Sequence, residues 1–547
     1  MSGSGEGAES RRGRVAAAAV FVFSAVAGAW LLQQGAERAE NVYVRVRVLQ
    51  EIVDRISSSY VEEVDPRTLY DSAIDGVIRD LGDPHTSLIP ASDYEDLRIR
   101  TEGEYGGVGL EVSDRNGIVT VVSPIPGGPA ERVGVRAGDR FLEIDGLRVD
   151  TLVTDQVVEL LRGRPGTQVT VKMLRPGVEE PIEITIERAV IRLRAVPFAL
   201  MLENDVGYVP LRTVRETSSQ EVRAAVDSLR SEGMRALVLD LRGNPGGLLD
   251  QGIAVTDLFL EEGLTIVETR GRARNQNEVY RTSDPDRYPD LPVVVLVDAA
   301  SASAAEIIAG ALQDHDRAAV IGETTFGKGS VQSLFRLTGG DVLRLTTARW
   351  YTPSGRSIHA DPVEVDPENE PALSLSGQAV PRPSTEGRPE YRTGSGRVVY
   401  GGGGITPDLF VAPETLDADE VEGTRRLFPR FGRFSLALFN YAVEYVQRHP
   451  DLSLGFVVSE AELDALFATL PHYDAAVARA DFDRARRFVR YHLEREIALQ
   501  AWGEAGQFRH SVPYDRQLRR ALEILQGVAT PGELLDEVAA AKLDSRP

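Results

Sequence analysis

Val293-Val294-Val295-Leu296-Val297-Asp298-Ala299-Ala300-Ser301-Ala302-Ser303-Ala304-Ala305-Glu306-Ile307-Ile308 is the stretch that decides the fold. It reads as a buried strand, a turn of small residues and the start of an Ala-rich helix. Near-continuous apolar strands are expected where both faces of a sheet are covered. Val206-Gly207-Tyr208-Val209 and Ala236-Leu237-Val238-Leu239-Asp240 repeat the strand pattern, and Ser218 to Glu232 reads as a helix. Strands and helices therefore alternate from Arg192 to about Pro413, which predicts an α/β layer. A hydroxyl at the turn sits at the positive end of a helix, where free N–H groups stabilise developing negative charge. Alone, Ser301 or Ser303 would be an ordinary helix cap.

Working outward, Gly322-Glu323-Thr324-Thr325-Phe326-Gly327-Lys328-Gly329-Ser330-Val331-Gln332 nearly spells a phosphate-binding loop. Gly329 stands where that loop needs Ser or Thr, and the residues after it alternate like a strand rather than opening a helix. The nucleotide reading is rejected. The chain holds only three lysines, Lys172, Lys328 and Lys542, in a basic set that is otherwise arginine. Arg cannot give up its proton, whereas a desolvated Lys can. A Lys between two glycines and beside Phe326 is thus a candidate base, whose pKa must fall from about 10.4 toward about 7–8 to act near neutrality. A third piece, Asp240-Leu241-Arg242-Gly243-Asn244-Pro245-Gly246-Gly247, follows a buried strand and offers glycine N–H groups for an oxyanion. On its own it is only a turn.

Between Tyr105 and Arg188 short alternating strands are separated by glycine turns. Gly107-Val108-Gly109-Leu110, Pro129-Ala130, Ala137-Gly138-Asp139 and a helix near Asp155 to Arg162 come in the order seen in a PDZ domain, which this segment resembles. In such a module Gly107, Val108, Gly109 and Leu110 would present backbone N–H groups to a peptide's terminal carboxylate. Asn41 to Arg98 reads as helices, with Val48, Ile52, Ile56 and Tyr60 at i, i+4 spacing, ending in the turn Gly82-Asp83-Pro84-His85-Thr86. The tail beyond Pro413 is helical again. Ser459–Glu462 and Thr530–Glu533 have the pattern of capping boxes, and a long Arg-rich amphipathic segment runs from Ala475 to Trp502. No chemistry is legible in it.

The chain has 547 residues and a formal charge of −22, which argues against a nucleic-acid partner. With no Cys and no HExxH pair, disulfides, thiolate metal sites and a zincin helix are excluded. Val15 to Leu32 is an uncharged 18-residue run behind Arg11, Arg12 and Arg14. At about 1.5 Å per residue it just spans a bilayer, with the arginines cytoplasmic and the rest of the chain extracytoplasmic, on the periplasmic side. An uncleaved anchor is preferred; a cleaved signal peptide is the rival reading.

Together the three glycine- and serine-rich motifs resemble the C-terminal processing peptidases, or tail-specific proteases, a family of Ser-Lys endopeptidases. The likeness runs from about residue 50 to 412 and takes in Thr352-Pro353-Ser354-Gly355-Arg356-Ser357-Ile358 and Gly404-Ile405-Thr406-Pro407-Asp408. It implies an α/β protease core of crotonase- or ClpP-like βα topology with an inserted PDZ domain, N-terminal helices and a C-terminal helical extension. Its boundaries would be a leader (1–14), an anchor (15–32), a helical region (41–100), PDZ (101–190), core (191–413, with a surface excursion at 362–404) and the extension (414–547). The resemblance makes Ser303 the nucleophile, Lys328 the general base and Gln332 its orienting partner. Ala304 and a glycine of the Gly246-Gly247 pair, preferably Gly246, would supply the oxyanion N–H groups. Ala305 replaces a serine usual in the family, which is not its nucleophile. The PDZ module would gate the site, with Arg162 as the residue that contacts the catalytic group in one state. Substrates would be proteins with apolar C-termini, no metal or cofactor is implied, and the terminal helices would serve self-association. A non-catalytic PDZ adaptor and a crotonase-like acyl-CoA enzyme are the alternatives.

Overall fold

The computed structural model describes residues 43–115, 117–176, 178–360, 372–380 and 384–544. The leader, the apolar run Val15–Leu32 and parts of the 362–404 excursion lie outside them. Among the described residues no helix is long and apolar enough to cross a membrane.

The chain divides into two units, residues 1–89 with 334–345, and all the rest. In the smaller unit a helix over 43–59 is followed by Pro66–Arg79, whose N-cap Asp65 accepts from the Arg67 N–H at 2.9 Å. The Gly82–Thr86 turn forms as expected. Asp83 accepts from the His85 N–H and the Thr86 hydroxyl and leads into Ser87–Ile89, which pairs antiparallel with Val342–Arg344.

In the larger unit, strands Val206–Pro210, Ala236–Asp240, Val293–Val297, Ala319–Gly322 and Leu409–Phe410 lie side by side and parallel, in that order, with Leu200–Met201 antiparallel at the edge. Alternate residues explain why these strands are apolar throughout. Leu237, Leu239, Val293, Val295 and Val297 pack on one face against Ser218–Ser231, Leu249–Asp257 and Ala304–Asp314, with Val222, Val226, Val255 and Ile308 among the contacts. Val238, Val294, Leu296, Ala319 and Ile321 pack on the other face against Leu518, Ala521, Ile524, Leu534 and Val538. Those five residues belong to helices Arg516–Leu525 and Pro531–Asp544. The end of the extension is therefore the third layer of the core. Periodicity announces that these helices bury one face, but not which surface they cover.

The segment read as PDZ-like forms a sheet of Leu110–Arg115, Ile118–Pro124, Arg140–Ile144, Gln168–Leu174 and Ile182–Glu187, in that order, closed by helix Thr154–Leu161 around Val121, Phe141, Ile144 and Val171. Val108 and Gly109 lie between the strands Glu104–Gly107 and Leu110–Arg115. Glu104–Gly107 pairs with Ala189–Arg192. Residues 384–404 are not a free loop: Glu390–Arg392 pairs with Val398–Tyr400. Arg388 donates to the Gly401 and Gly404 carbonyls, and Arg397 pairs with Asp316 and Asp408. The long Arg-rich segment of the tail becomes two helices, Arg479–Arg484 and Arg486–Ser511, the second interrupted at Gly503 (φ 68°, ψ −168°).

Candidate active site

Strands Ala236–Asp240, Val293–Val297 and Ala319–Gly322 are immediate neighbours, and each leads at its carboxyl end into one of the three motifs. Parallel α/β sheets place their sites at that edge. Loops far apart in sequence thereby emerge side by side.

The two serines of the central turn are not equivalent. Ser301 is fully buried, and its hydroxyl donates to the Leu241 carbonyl at 2.8 Å, tying this turn to the preceding motif. Ser303 is half-buried at the N-cap of Ala304–Asp314, with φ 55° and ψ −117°. A non-glycine residue held there costs about 1–3 kcal/mol, and a sharp strand-to-helix turn of this kind presents its hydroxyl outward. The Ser303 hydroxyl makes no capping hydrogen bond. Glu306 closes the helix end instead. Ala305 is buried in the core, so the missing serine of the family pattern falls on a position that does not face the site.

Glu306 is the residue sequence reasoning missed. Its carboxylate is buried and accepts four hydrogen bonds. Oε1 receives the Thr325 hydroxyl at 2.5 Å and the Gly327 N–H at 2.7 Å; Oε2 receives the Ser303 N–H at 2.7 Å and the Lys328 N–H at 2.9 Å. One carboxylate oxygen thus holds the backbones of Ser303 and Lys328. Burial pushes the Glu306 carboxyl up to about 7, against the opposing pull of these four donors. The lysine loop is fixed from other sides as well. Phe326 N–H donates to the Ser301 carbonyl, Trp350 Nε1 to the Lys328 carbonyl, and Ala360 N–H to the Gly327 carbonyl. Glycine is required at 329, where an added methyl would lie 2.8 Å from the His359 nitrogen. Phe326, expected to shield Lys328, is itself exposed. The loop runs into the strand Ser330–Arg336 and not into a helix, so the phosphate-loop context is absent.

Gln332 sits on that strand and donates from Nε2 to Ser330 Oγ at 2.9 Å and Thr346 Oγ1 at 3.4 Å. The Oε1 acceptor that would orient a lysine takes part in neither bond. The backbone N–H groups expected to receive an oxyanion differ in what they already bond. The Ala304 N–H, at the first turn of its helix, has no intrahelical partner. Gly246 packs against the nucleophile: a methyl added there would lie 2.8 Å from both Ser303 Cβ and the Ala304 nitrogen. Its own N–H, however, is donated to Asn244 Oδ1 at 2.8 Å. Flanking bonds from Val214 N–H to the Gly246 carbonyl and from Leu248 N–H to the Val214 carbonyl leave the Gly247 amide as the uncommitted donor of the pair. Only the side chain of Asn244 decides between the two glycines.

Arg162 does not contact this group. Its guanidinium donates to Asp96 at 2.7 Å and Glu159 at 3.3 Å. In the Gly107–Leu110 segment Gly107 ends one strand, Gly109 takes φ 74° and Leu110 opens the next strand. Neither Val108 nor Gly109 donates its N–H to the backbone.

Behind the Gly-rich turn, Arg242 lies between two carboxylates. It donates to Asp240 through Nε and Nη2, and to Asp515 through Nη1 and Nη2, at 2.7 to 2.9 Å, with Gln517 Oε1 at 3.0 Å. The Tyr208 hydroxyl donates to Asp240 at 2.6 Å. Asp515 and Gln517 come from the extension, in which no chemistry was legible. Truncating one member of a buried pair costs about 3–5 kcal/mol; Asp515 is a fifth exposed, which lowers the figure to about 2 kcal/mol. Asp515→Ala is expected to lower the urea midpoint and kcat while leaving KM in place, because Arg242 ties Asp515 to Asp240 at the start of the Gly-rich turn. Unchanged kcat with a lowered midpoint would reduce the contact to simple packing.

Comparison with known proteins identifies the family. Residues 205–369 match peptidase family S41, residues 120–175 match PDZ domains, and residues 22–91 match the N-terminal domain described for the activating protease CtpB. The carboxy-terminal-processing protease of Bartonella bacilliformis is 39% identical over 373 residues, covering 66% of this chain and 85% of that protein. Carboxy-terminal processing protease CtpA of Bacillus subtilis is 33% identical, over 63% of this chain and 72% of its own length. Among solved structures, a photosystem II D1 C-terminal processing protease is 29% identical, with a TM-score of 0.32, covering 57% of this chain and 89% of that one. The chain belongs to the carboxy-terminal processing proteases of peptidase family S41: it is a serine protease that carries a PDZ domain.

Proposed function

We propose that this serine protease works by a Ser-Lys mechanism on proteins with apolar C-termini, at the outer face of a membrane to which Val15–Leu32 anchors it. The observation that supports the mechanism is the shared Glu306 oxygen, which brings the Ser303 and Lys328 backbones to one point. Neutral Lys328 takes the proton of the Ser303 hydroxyl as Oγ attacks the scissile carbonyl. The oxyanion is received by the Ala304 and Gly247 N–H groups, each such donor being worth about a hundred- to thousand-fold in turnover. The Lys328 ammonium then gives its proton to the departing amine, leaving the acyl-enzyme. Lys328 next takes a proton from water, the hydroxide displaces Ser303, and the proton returns to Oγ. Gln332 orients the lysine through its side-chain oxygen. Arg162 couples the PDZ module to the site in a second arrangement.

PDZ domains bind peptide C-termini, and here the Val108 and Gly109 amides are placed to receive a terminal carboxylate. The extracytoplasmic location rests on the arginines before the apolar run. Self-association of the terminal helices is supported by Val48, Ile52 and Val77, which are 48%, 50% and 72% exposed. An unfolded protein ending in apolar residues is expected to be cleaved by the wild-type chain and not by Ser303→Ala. Amidating the substrate's C-terminus should slow cleavage severalfold, read as a raised KM. An unchanged rate on the amidated substrate removes the PDZ role.

A further inference from the structure

A cavity of about 940 Å³ opens beside the peptide loop, and three parts of the chain line it. The PDZ module contributes Val108, Gly109, Leu110 and Arg162; the protease core contributes Arg212 and Arg215; the extension contributes Trp502, Gly503, Glu504 and Ala505. Pockets of this size take extended peptides as readily as small ligands. Its charge is one-sided. Five arginines, Arg162, Arg192, Arg194, Arg212 and Arg215, face two carboxylates, Glu111 and Glu504. Arg192 is matched by Glu104 and Arg162 by Asp96. The Arg212 guanidinium acts on the Asp240 carboxylate without a direct hydrogen bond to it, and the Arg194 side chain makes no hydrogen bond or ion pair among the described residues. The Nε atoms of Arg162 and Arg215 are buried without an acceptor. Unpaired buried N–H donors are costly, and an anionic ligand with several acceptors would satisfy them.

A terminal carboxylate provides one such charge, and the amides of the peptide loop already suit it. The surplus of guanidinium groups calls for more. We propose that the cavity selects substrate tails bearing acidic side chains just upstream of an apolar terminus, with the extension forming its outer wall. This rests on the reading of the chain as a tail-recognising protease and names the tail it prefers. The wall depends on Gly503. Its φ of 68° with ψ of −168° lies where L side chains rarely go, and a methyl added there meets nothing within 4 Å. Gly503→Ala therefore acts through the backbone, by disfavouring the break that carries Trp502 into the cavity lining. Arg212 and Arg215 also flank Val214, which is hydrogen-bonded to the oxyanion turn, so an occupied cavity lies close to the chemistry.

The test uses the full chain carrying Ser303→Ala, so that binding is read without cleavage. Three fluorescent decapeptides end in two alanines and differ only in having two glutamates, two glutamines or two lysines immediately upstream. Anisotropy titrations should give the glutamate peptide at least tenfold tighter binding than the glutamine peptide, with the lysine peptide weakest and the preference shrinking as salt rises. Arg194→Ser combined with Arg212→Ser should erase the preference, and Gly503→Ala should weaken the glutamate peptide severalfold. Equal affinity for glutamate and glutamine peptides, or no binding of any of them, overturns the inference. Unchanged glutamate-peptide affinity in Gly503→Ala removes the extension from it. Cleavage of an unfolded substrate by the wild-type chain, measured alongside, shows whether the protease reading survives either result.

Discussion

Ser303→Ala and Lys328→Arg are each expected to lower kcat/KM by at least about 10⁴-fold, since members of a nucleophile–base unit fail together rather than additively. Arginine keeps the charge and most of the length of lysine but cannot become a neutral base. The Lys328 backbone would keep its bond to Glu306, so folding should be unaffected, as circular dichroism and a urea midpoint within about 0.5 kcal/mol of wild type would show. The double variant should be no worse than either single one. Substantial activity in Lys328→Arg would mean that proton removal from Ser303 does not depend on this amine. A non-catalytic adaptor, by contrast, would bind tails equally well in all four proteins and cleave none.

Glu306→Gln should lower kcat by about 10²-fold or more with little change in KM. The carboxylate accepts from four donors at once, whereas a carboxamide accepts only at its oxygen and turns an N–H toward the other pair. One of the two backbones held in register must let go, and a small misplacement of reacting groups can cost about 10² in rate. The same four donors leave a protonated carboxyl no acceptor, so wild-type activity should fall as pH drops through about 7, where burial places this group. Stability moves the other way. A carboxyl raised above its unfolded value contributes stability in full below the unfolded pKa and loses it as pH rises through about 7, a change of about 3 kcal/mol from this group alone. Urea midpoints at pH 5 and pH 8 should show that slope in wild type and its absence in Glu306→Gln. Equal slopes in the two proteins would place the carboxyl's titration elsewhere.

Legibility in the sequence tracked the range of the interactions. The strands Ala236–Asp240 and Val293–Val297 can be bounded to the residue because both faces are covered and every position but the closing Asp240 is apolar. The three motifs were visible as local texture. Glu306 stood in the quoted run, yet its role depends on Thr325, Gly327 and Lys328, which lie beyond the helix it opens, and no local pattern announces that. Asp515 reaches Arg242 across 273 residues. The Gly246 N–H is committed to Asn244 Oδ1 by one hydrogen bond that no local pattern announces. The extension was recognised as helices with one buried face, but the surface they cover is the back of the central sheet. Gly503, one of many glycines, is notable only because the helix around it continues.

Having only three lysines makes the central claim directly measurable. In protein carrying ¹³Cε-labelled lysine, three resonances are expected, and comparison with Lys328→Arg identifies the one from Lys328. The Lys328 resonance is expected to titrate between about pH 7 and 8, the range a neutral base needs. A Lys328 resonance that stays fully protonated through about pH 9 would contradict the neutral-amine mechanism.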